Sequence, residues 1–322
     1  MNNPIVSVVV ITYNQENYIA QTLDSILEQK CNFPFEIIIG EDCSTDRTMD
    51  LCLDYQRKYP NIIKVLDNNV NLGLLKNYHR TIMACKGKYI AGCAGDDYWI
   101  DDYKLQNQVD FLDANQDYGL VYTSYIEFIN NKSKYKKREY SNMPTGDAYE
   151  AFLLNSFING ATVCFRAELY HHFIFKFQLQ LKNWKMEDRP FWLFISSKTK
   201  IHYLNNETAV YRKHDNSITS FKSLEQEIEF IKSSYDVRFY FIENVRAVSD
   251  EFKIQLYKKY YKKLLNYYFQ SMNQKNSKET FALLKDISSQ SIGDYLKYFG
   301  SMNYINNYIV KFIIKLILLI GK

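Results

Sequence analysis

The chain has 322 residues, of which 47% are hydrophobic and 24% charged, proportions that exclude collagen-like, disordered and multi-pass membrane chains. Five Pro and eleven Gly against 28 Tyr and 21 Phe exclude a loop-rich or low-complexity architecture and point to regular elements packed through aromatic rings. The net charge of +4 is unevenly spread: residues 251–322 carry 12 Lys, no Arg and 4 acids, a net +8 that leaves the first 250 residues at −4.

Residues 5–12 form an apolar, β-branched run that reads as a buried strand, and residues 17–29 place Ile19, Leu23, Ile26 and Leu27 on one helical face. A strand over 35–39, a helix over 45–59, a strand over 62–66, a helix over 74–85 and a strand over 88–91 continue the alternation. Such a pattern predicts an α/β fold with a mainly parallel sheet wrapped by helices, in which ligands gather at the carboxyl ends of the strands. Three polar clusters sit there: residues 12–16, 41–46 and 95–99. Further on come a helix over 103–114, a strand over 119–129, a polar and basic surface loop over 130–140, a short helix over 148–154, a strand near 161–165, the segment 184–196 and a strand over 201–211.

From Phe221 onward apolar residues recur at steps of three and four, so the last third is helical, and the expected division is 1–220 and 221–322. Residues 305–320 are almost wholly apolar, with Asn307, Lys311, Lys315 and Lys322 along one side. That pattern suits a helix lying in a membrane interface, or equally a terminal helix docked on its own domain. The basic tail favours an anionic surface as partner. No helix-turn-helix, zinc-finger or RNA-binding signature points to nucleic acid, which leaves membrane phospholipid. The six Cys form no CxxC pair or regular framework and read as reduced thiols. The start of the chain lacks a basic n-region and a small-residue cleavage site, so a cytoplasmic protein is expected, peripheral on the inner face of the membrane if the C-terminal helix binds there.

Neither GxGxxG nor GxxxxGK[ST] is present, which counts against dehydrogenases, kinases and P-loop NTPases. Carboxylates remain. Asp96 and Asp97, after a strand and before a helix, supply either hard oxygen ligands for Mg²⁺ or Mn²⁺ or a helix N-cap. The run Glu41-Asp42-Cys43-Ser44-Thr45-Asp46 reads as a capped helix start, or as a site where Asp42 accepts from a base imide or a ribose hydroxyl while Tyr13 stacks on the base.

In combination these segments resemble the family 2 inverting glycosyltransferases of the GT-A fold, over roughly the first 220 residues. The resemblance is carried by Val6-Ser-Val-Val-Val-Ile-Thr-Tyr-Asn14, Leu23-Asp-Ser-Ile-Leu-Glu-Gln29, Gly40-Glu-Asp-Cys-Ser-Thr-Asp46, Asn71-Leu-Gly73 with Asn77, Lys86-Gly-Lys-Tyr-Ile90, Gly95-Asp-Asp-Tyr-Trp99 and Lys104-Leu-Gln-Asn-Gln108. It implies that Thr12, Tyr13, Asn14, Glu16, Glu41, Asp42, Lys76 and Asp96 bind the nucleotide, with Asp96 near the ribose, and that Asp97, Asp96 and His214 hold Mn²⁺ or Mg²⁺ on the diphosphate. Glu41 stands where the family usually has Asp, and Ala94 where many members have the first acid of an Asp-x-Asp-Asp pattern.

Met186-Glu-Asp-Arg-Pro-Phe-Trp192 is similar to the acceptor-side motif and implies Asp188 as general base with Glu187 as fallback. Tyr211-Arg-Lys-His214 resembles the element that places Arg212 and His214 near the diphosphate. The remaining histidines, His79, His171, His172 and His202, are expected to be structural. The expectation is a metal-dependent inverting transferase moving a hexosyl or N-acetylhexosaminyl group from a nucleotide-sugar, UDP preferred, to a growing glycan that is lipid-linked, in surface polysaccharide synthesis. The competing readings are a catalytically degenerate sugar-nucleotide-binding scaffold, suggested by Ala94, and a nucleotidyltransferase.

Overall fold

A computed structural model describes residues 3–66, 68–137, 142–177, 184–186, 188–214, 221, 223–287, 291–302, 307, 310 and 311. Two compact units are found, Met1–Ser220 and Phe221–Lys322. In the first, β1 (Val6–Thr12), α1 (Ile19–Leu27), β2 (Phe35–Glu41), α2 (Thr48–Lys58), β3 (Ile63–Leu66), α3 (Leu74–Met83) and β4 (Tyr89–Gly92) follow the expected alternation. Val6, Val8, Val10, Ile37 and Ile39 are buried together with Ile19, Leu23 and Ile26 of α1 on one face, and Val9 and Ile38 are buried on the other, as strands covered on both faces require.

Next come β5 (Tyr98–Trp99), α4 (Lys104–Ala114), β6 (Tyr118–Ile129), β7 (Lys134–Lys137), α5 (Tyr149–Leu154), β8 (Cys164–Arg166), α6 (Ala167–Phe177), α7 (Asp188–Lys198) and β9 (Lys200–Lys213). One sheet runs in the order β3-β2-β1-β4-β8-β6-β9-β5, with β7 paired to β6. It is parallel through β3-β2-β1-β4 and again between β6 and β9. Antiparallel pairing enters where β8, β5 and β7 join. Register positions the site. Thr12 lies opposite Glu41, so the loops leaving β1 and β2 start level, and Phe128 opposite Arg212 brings the end of β6 beside the end of β9.

Three local findings differ from the sequence reading. Residues 130–137 are not all loop: a 3₁₀ turn over Asn130–Lys132 leads into β7, held where Tyr135 packs 4.7 Å from Phe128 and its hydroxyl meets that of Tyr98 at 3.1 Å. The strand is so polar that only tertiary contact reveals it. The two-residue β5 and the helix α6 were not expected either. The first is too short for any periodicity, and the second runs straight out of β8 without a breaker.

The second unit consists, among the described residues, of α8 (Leu224–Asn244), α9 (Asp250–Gln270), α10 (Gln274–Ile287) and α11 (Ile292–Gly300). Ser223, Ser249 and Ser291 cap α8, α9 and α11, the last through a reciprocal capping box with Asp294. Leu265, Phe281 and Leu284 form its apolar centre. Among the described residues no helix is long and apolar enough to cross a membrane. Apart from Asn307, Val310 and Lys311, the apolar stretch read as an interfacial helix lies outside the described residues.

Behind the third strand-end cluster lies a buried cation. Lys104 is 1% exposed; its Nζ donates to Oε1 of Gln108 at 2.8 Å and sits 4.3 Å over the ring of Trp99, whose indole N–H is fixed on the carbonyl of Ala161. Burial lowers its pKa from 10.5 to about 8. Between those values the unfolded chain carries a proton that the folded chain does not, so stability rises with pH across this window, and below about 8 the whole penalty, about 3 kcal/mol, remains. Urea unfolding between pH 8 and 10.5 is expected to show that rise in the native chain and a flatter profile in Lys104→Met; parallel profiles would refute it.

Candidate functional site

The loops after β1 and β2 are sewn together by side chains the sequence marked as ligand-binding. Asn14, at φ 53, takes the N–H of Thr45 on its Oδ1 at 2.8 Å and gives its own N–H to Oγ of Ser44 at 2.9 Å. Glu16 accepts from the N–H of Arg47 at 3.1 Å, while Asp46 accepts from the N–H groups of Glu16 and Thr48 at 3.2 and 2.9 Å. Glu41 is fully buried and curls back to accept from the N–H groups of Cys43 and Ser44, both at 2.9 Å, which holds Cys43 at φ 60. The longer side chain at this position therefore has an internal task.

Asp42, 4% exposed, grips the loop entering α3: its Oδ1 accepts from the N–H of Leu72 at 2.8 Å and its Oδ2 from that of Gly73 at 2.9 Å. Gly73 sits at φ 77, where a Cβ would be strained. Arg80, which the sequence reading passed over, clamps the same corner through the carbonyl of Leu66 at 3.0 Å and Oδ1 of Asn77 at 3.0 Å. Tyr13 is 45% exposed and Lys76 is exposed on α3, so both are open to a ligand beside this corner. Thr12 Oγ1 and Gln15 Oε1 are buried without a hydrogen-bond partner among the described residues, and a Cβ on Gly95 would approach them to 2.8 and 2.4 Å. This is the close approach that requires glycine.

The two adjacent acids have different environments. Asp97 is 3% exposed; its Oδ1 takes the backbone N–H of Arg212 at 2.9 Å, and its carbonyl takes the hydroxyl of Thr22 at 2.6 Å. Burial, reinforced by the charge of Asp96, pushes its carboxyl well above the usual range. Asp96 instead meets His214, with Oδ2 and Nε2 2.9 Å apart and both side chains partly open to solvent. Arg212 is 5% exposed. Its guanidinium donates to the carbonyl of Asp96 and to Oε1 of Gln21, and lies 5.1 Å from the ring of Tyr18 and 4.5 Å from that of Tyr98. It is thus enclosed by the protein, and the expectation that it reaches a leaving group does not fit its packing.

The donor chemistry separates the expected metal ligands. A carboxylate oxygen facing an imidazole nitrogen from two loops suits Mn²⁺ or Mg²⁺, so Asp96 and His214 fit such an ion. Asp97 is less accessible to an ion, because its side chain is buried and its Oδ1 is committed to the Arg212 N–H. Among the described residues no group of three or more His, Cys, Asp or Glu side chains forms a ready metal cage. Any ion here would complete its shell with water or ligand oxygens.

Asp188 opens α7, where its Oδ1 accepts the N–H of Arg189 at 2.6 Å. It lines a shallow, open surface depression with Phe152, Phe157, Asn155, Arg189 and Trp192. Glu187 lies outside the described residues. His202 stacks on Phe111 at 3.8 Å and His79 is 6.1 Å from Tyr170; burial lowers the pKa of both.

With this geometry established, the Glycosyl transferase family 2 profile matches residues 7–176. The chain belongs to glycosyltransferase family 2. Uncharacterised proteins of Mycobacterium tuberculosis and Mycobacterium bovis are 41% identical to this family member over 109 residues, 34% of this chain and about a third (32%) of theirs. The Escherichia coli protein WfgD, a UDP-Glc:α-D-GlcNAc-diphosphoundecaprenol β-1,3-glucosyltransferase, is 29% identical over 249 residues, covering 77% of this chain and 90% of WfgD. Staphylococcus aureus TarS 1–349 in complex with UDP-GlcNAc superposes with a TM-score of 0.57 at 20% identity, over 92% of this chain and 79% of that 1–349 chain. The mannosyltransferase PcManGT of Pyrobaculum calidifontis, in complex with GDP-Man and Mn²⁺, superposes with a TM-score of 0.56 at 14% identity, over 96% and 87%. The GT-A fold expected from the sequence is the fold found.

The two roles of the acidic pair are separable. Asp97→Asn keeps an oxygen for the Arg212 N–H and is expected to stay within about 1 kcal/mol of the native chain, whereas Asp97→Ala strands that buried N–H at about 1–3 kcal/mol. Urea unfolding of both variants checks this, and equal losses would show that charge, not hydrogen bonding, holds Arg212.

Proposed function

We propose that this chain is an inverting glycosyltransferase that moves a sugar from a nucleoside-diphosphate donor, UDP preferred, to a hydroxyl of a growing, lipid-linked glycan in surface polysaccharide synthesis. The observation that carries the proposal is the meeting of Asp96 and His214 at the ends of parallel strands, in a chain of this family. The UDP preference and the lipid-linked acceptor draw on what WfgD and TarS are described as using.

In this reading the base stacks on exposed Tyr13 beside the Asp42 corner, and the spare lone pairs of Asp42 accept its imide N–H. Asp96 and His214 hold Mn²⁺ or Mg²⁺, which when bound neutralises diphosphate charge. Asp188 acts as general base. The acceptor oxygen attacks the anomeric carbon from the face opposite the donor oxygen, its proton passes to the Asp188 carboxylate, and the carbon–oxygen bond breaks with its electron pair leaving on the nucleoside diphosphate. The shallow depression beside Asp188, edged by Phe157, would face the acceptor sugar.

Ala94, exposed at the end of β4, supports one competing reading, a sugar-nucleotide-binding subunit without catalysis. Release of nucleoside diphosphate from UDP-, GDP- and dTDP-sugars with an extract of lipid-linked glycans, each with and without Mn²⁺, separates the two. One donor is expected to turn over, with Asp188→Asn lowering kcat about 10²–10⁴-fold and leaving nucleotide-induced thermal stabilisation intact. Nucleotide stabilisation without turnover by the native chain would favour the binding subunit.

A further inference from the structure

The imidazole of His214 is not held by Asp96 alone. Its ring lies on that of Tyr18, with centroids 5.2 Å apart and planes 24° from parallel. The same Tyr18 ring bears the Arg212 guanidinium at 5.1 Å, so one aromatic side chain touches both Arg212 and His214 at the end of β9. Tyr18 is itself fixed at two ends: it is the N-cap residue of α1, and its hydroxyl oxygen accepts from Nδ2 of Asn130 at 2.9 Å. Asn130 follows β6, whose pairing with β9 sets Ile129 opposite Lys213 and so keeps Asn130 level with His214. The other side-chain atom of Asn130, Oδ1, is buried with no hydrogen-bond partner among the described residues. An uncompensated buried carbonyl is costly, and the side chain keeps it while its amide serves Tyr18.

From this arrangement we infer that Tyr18 is a positioning residue for the ion site, and that Asn130 positions Tyr18. The inference rests on the reading that Asp96 and His214 bind the ion. The torsion that turns an imidazole about its Cβ–Cγ bond has a broad, shallow preference. With less packing against the ring, Nε2 faces Asp96 in a smaller part of the population, and the apparent dissociation constant rises as the competent fraction falls. The Tyr18 ring removes that freedom before the ion arrives. Partners of this kind, one contact beyond the ligands, alter metal affinity by about 10–100-fold.

The test is Mn²⁺ binding by the purified full chain, read as the free-ion electron paramagnetic resonance signal, with Mn²⁺ alone and with UDP. Asp96→Asn and His214→Ala are expected to weaken binding at least tenfold, and Tyr18→Leu about tenfold or more. Tyr18→Phe keeps the stacked ring and is expected to lose no more than about threefold. Asn130→Ala should cost about threefold in the native background and nothing further in Tyr18→Phe, since both remove one hydrogen bond. This cycle decides the matter should Tyr18→Leu fail to fold, because neither of its members empties the packing around α1. Native affinity in a folded Tyr18→Leu, or additive losses in the cycle, with His214→Ala still impaired, would overturn the positioning role alone. Native affinity in both Asp96→Asn and His214→Ala would overturn the ion site and this inference with it.

Discussion

The enclosure of Arg212 is the constraint on which the strand-end region depends. A guanidinium that is 5% exposed has given up nearly all its water, and a buried charge is tolerable only when its donors are met and its field is balanced. Here its donors reach the carbonyl of Asp96 and Gln21, its faces meet Tyr18 and Tyr98, and its own N–H is taken by Asp97. These partners come from α1 with its N-cap Tyr18 and from residues 96–98, while Arg212 itself stands on β9. Satisfying one cation thus draws three separate stretches of chain into one fixed arrangement and leaves Asp96 and His214 facing each other at its edge. The buried Lys104 under Trp99 supports the same loop from behind.

A second consequence concerns the carboxylates. Strand ends expose backbone N–H groups that have run out of ladder partners, and these must be paired. Glu41, Asp42 and Asp46 pair them, and Asn14 and Glu16 bind one loop to the other. Much of the acidity at this end of the sheet is therefore spent on building a rigid floor. The groups left open, Tyr13, Lys76 and the Asp96–His214 pair, stand on that floor, as preorganised sites generally do.

The strong periodic elements were legible before the structure: β1 through its β-branched run, α1 through its apolar face, and the helical character of α8 and α9 through steps of three and four. Motif order placed the acids at strand ends correctly. Which acid faces outward was not legible, because Asp96 and Asp97 are chemically identical and differ only in what packs against them. The resemblance of Tyr211-Arg-Lys-His214 to a family element implied a leaving-group contact for Arg212. Burial between two rings removes it from that reach. Tyr18, Gln21 and Asn130 gave no motif signal, since their roles exist only through residues dozens of positions away.

By itself the sequence determined the family, the α/β alternation, the placement of polar clusters after strands and the change to helices near Phe221. The family follows from the resemblance of its ordered motifs, and the rest from short-range periodicity and from residue types at fixed spacing. The tertiary structure alone decided the division of labour among those clusters: Asp97 inside and Asp96 at the edge, Glu41 turned into its own loop, Arg212 enclosed, His214 seated on Tyr18. The physical reason is that desolvation and hydrogen-bond pairing depend on which chain segments meet in space, and that information is set by strand register and helix docking instead of by local order along the chain.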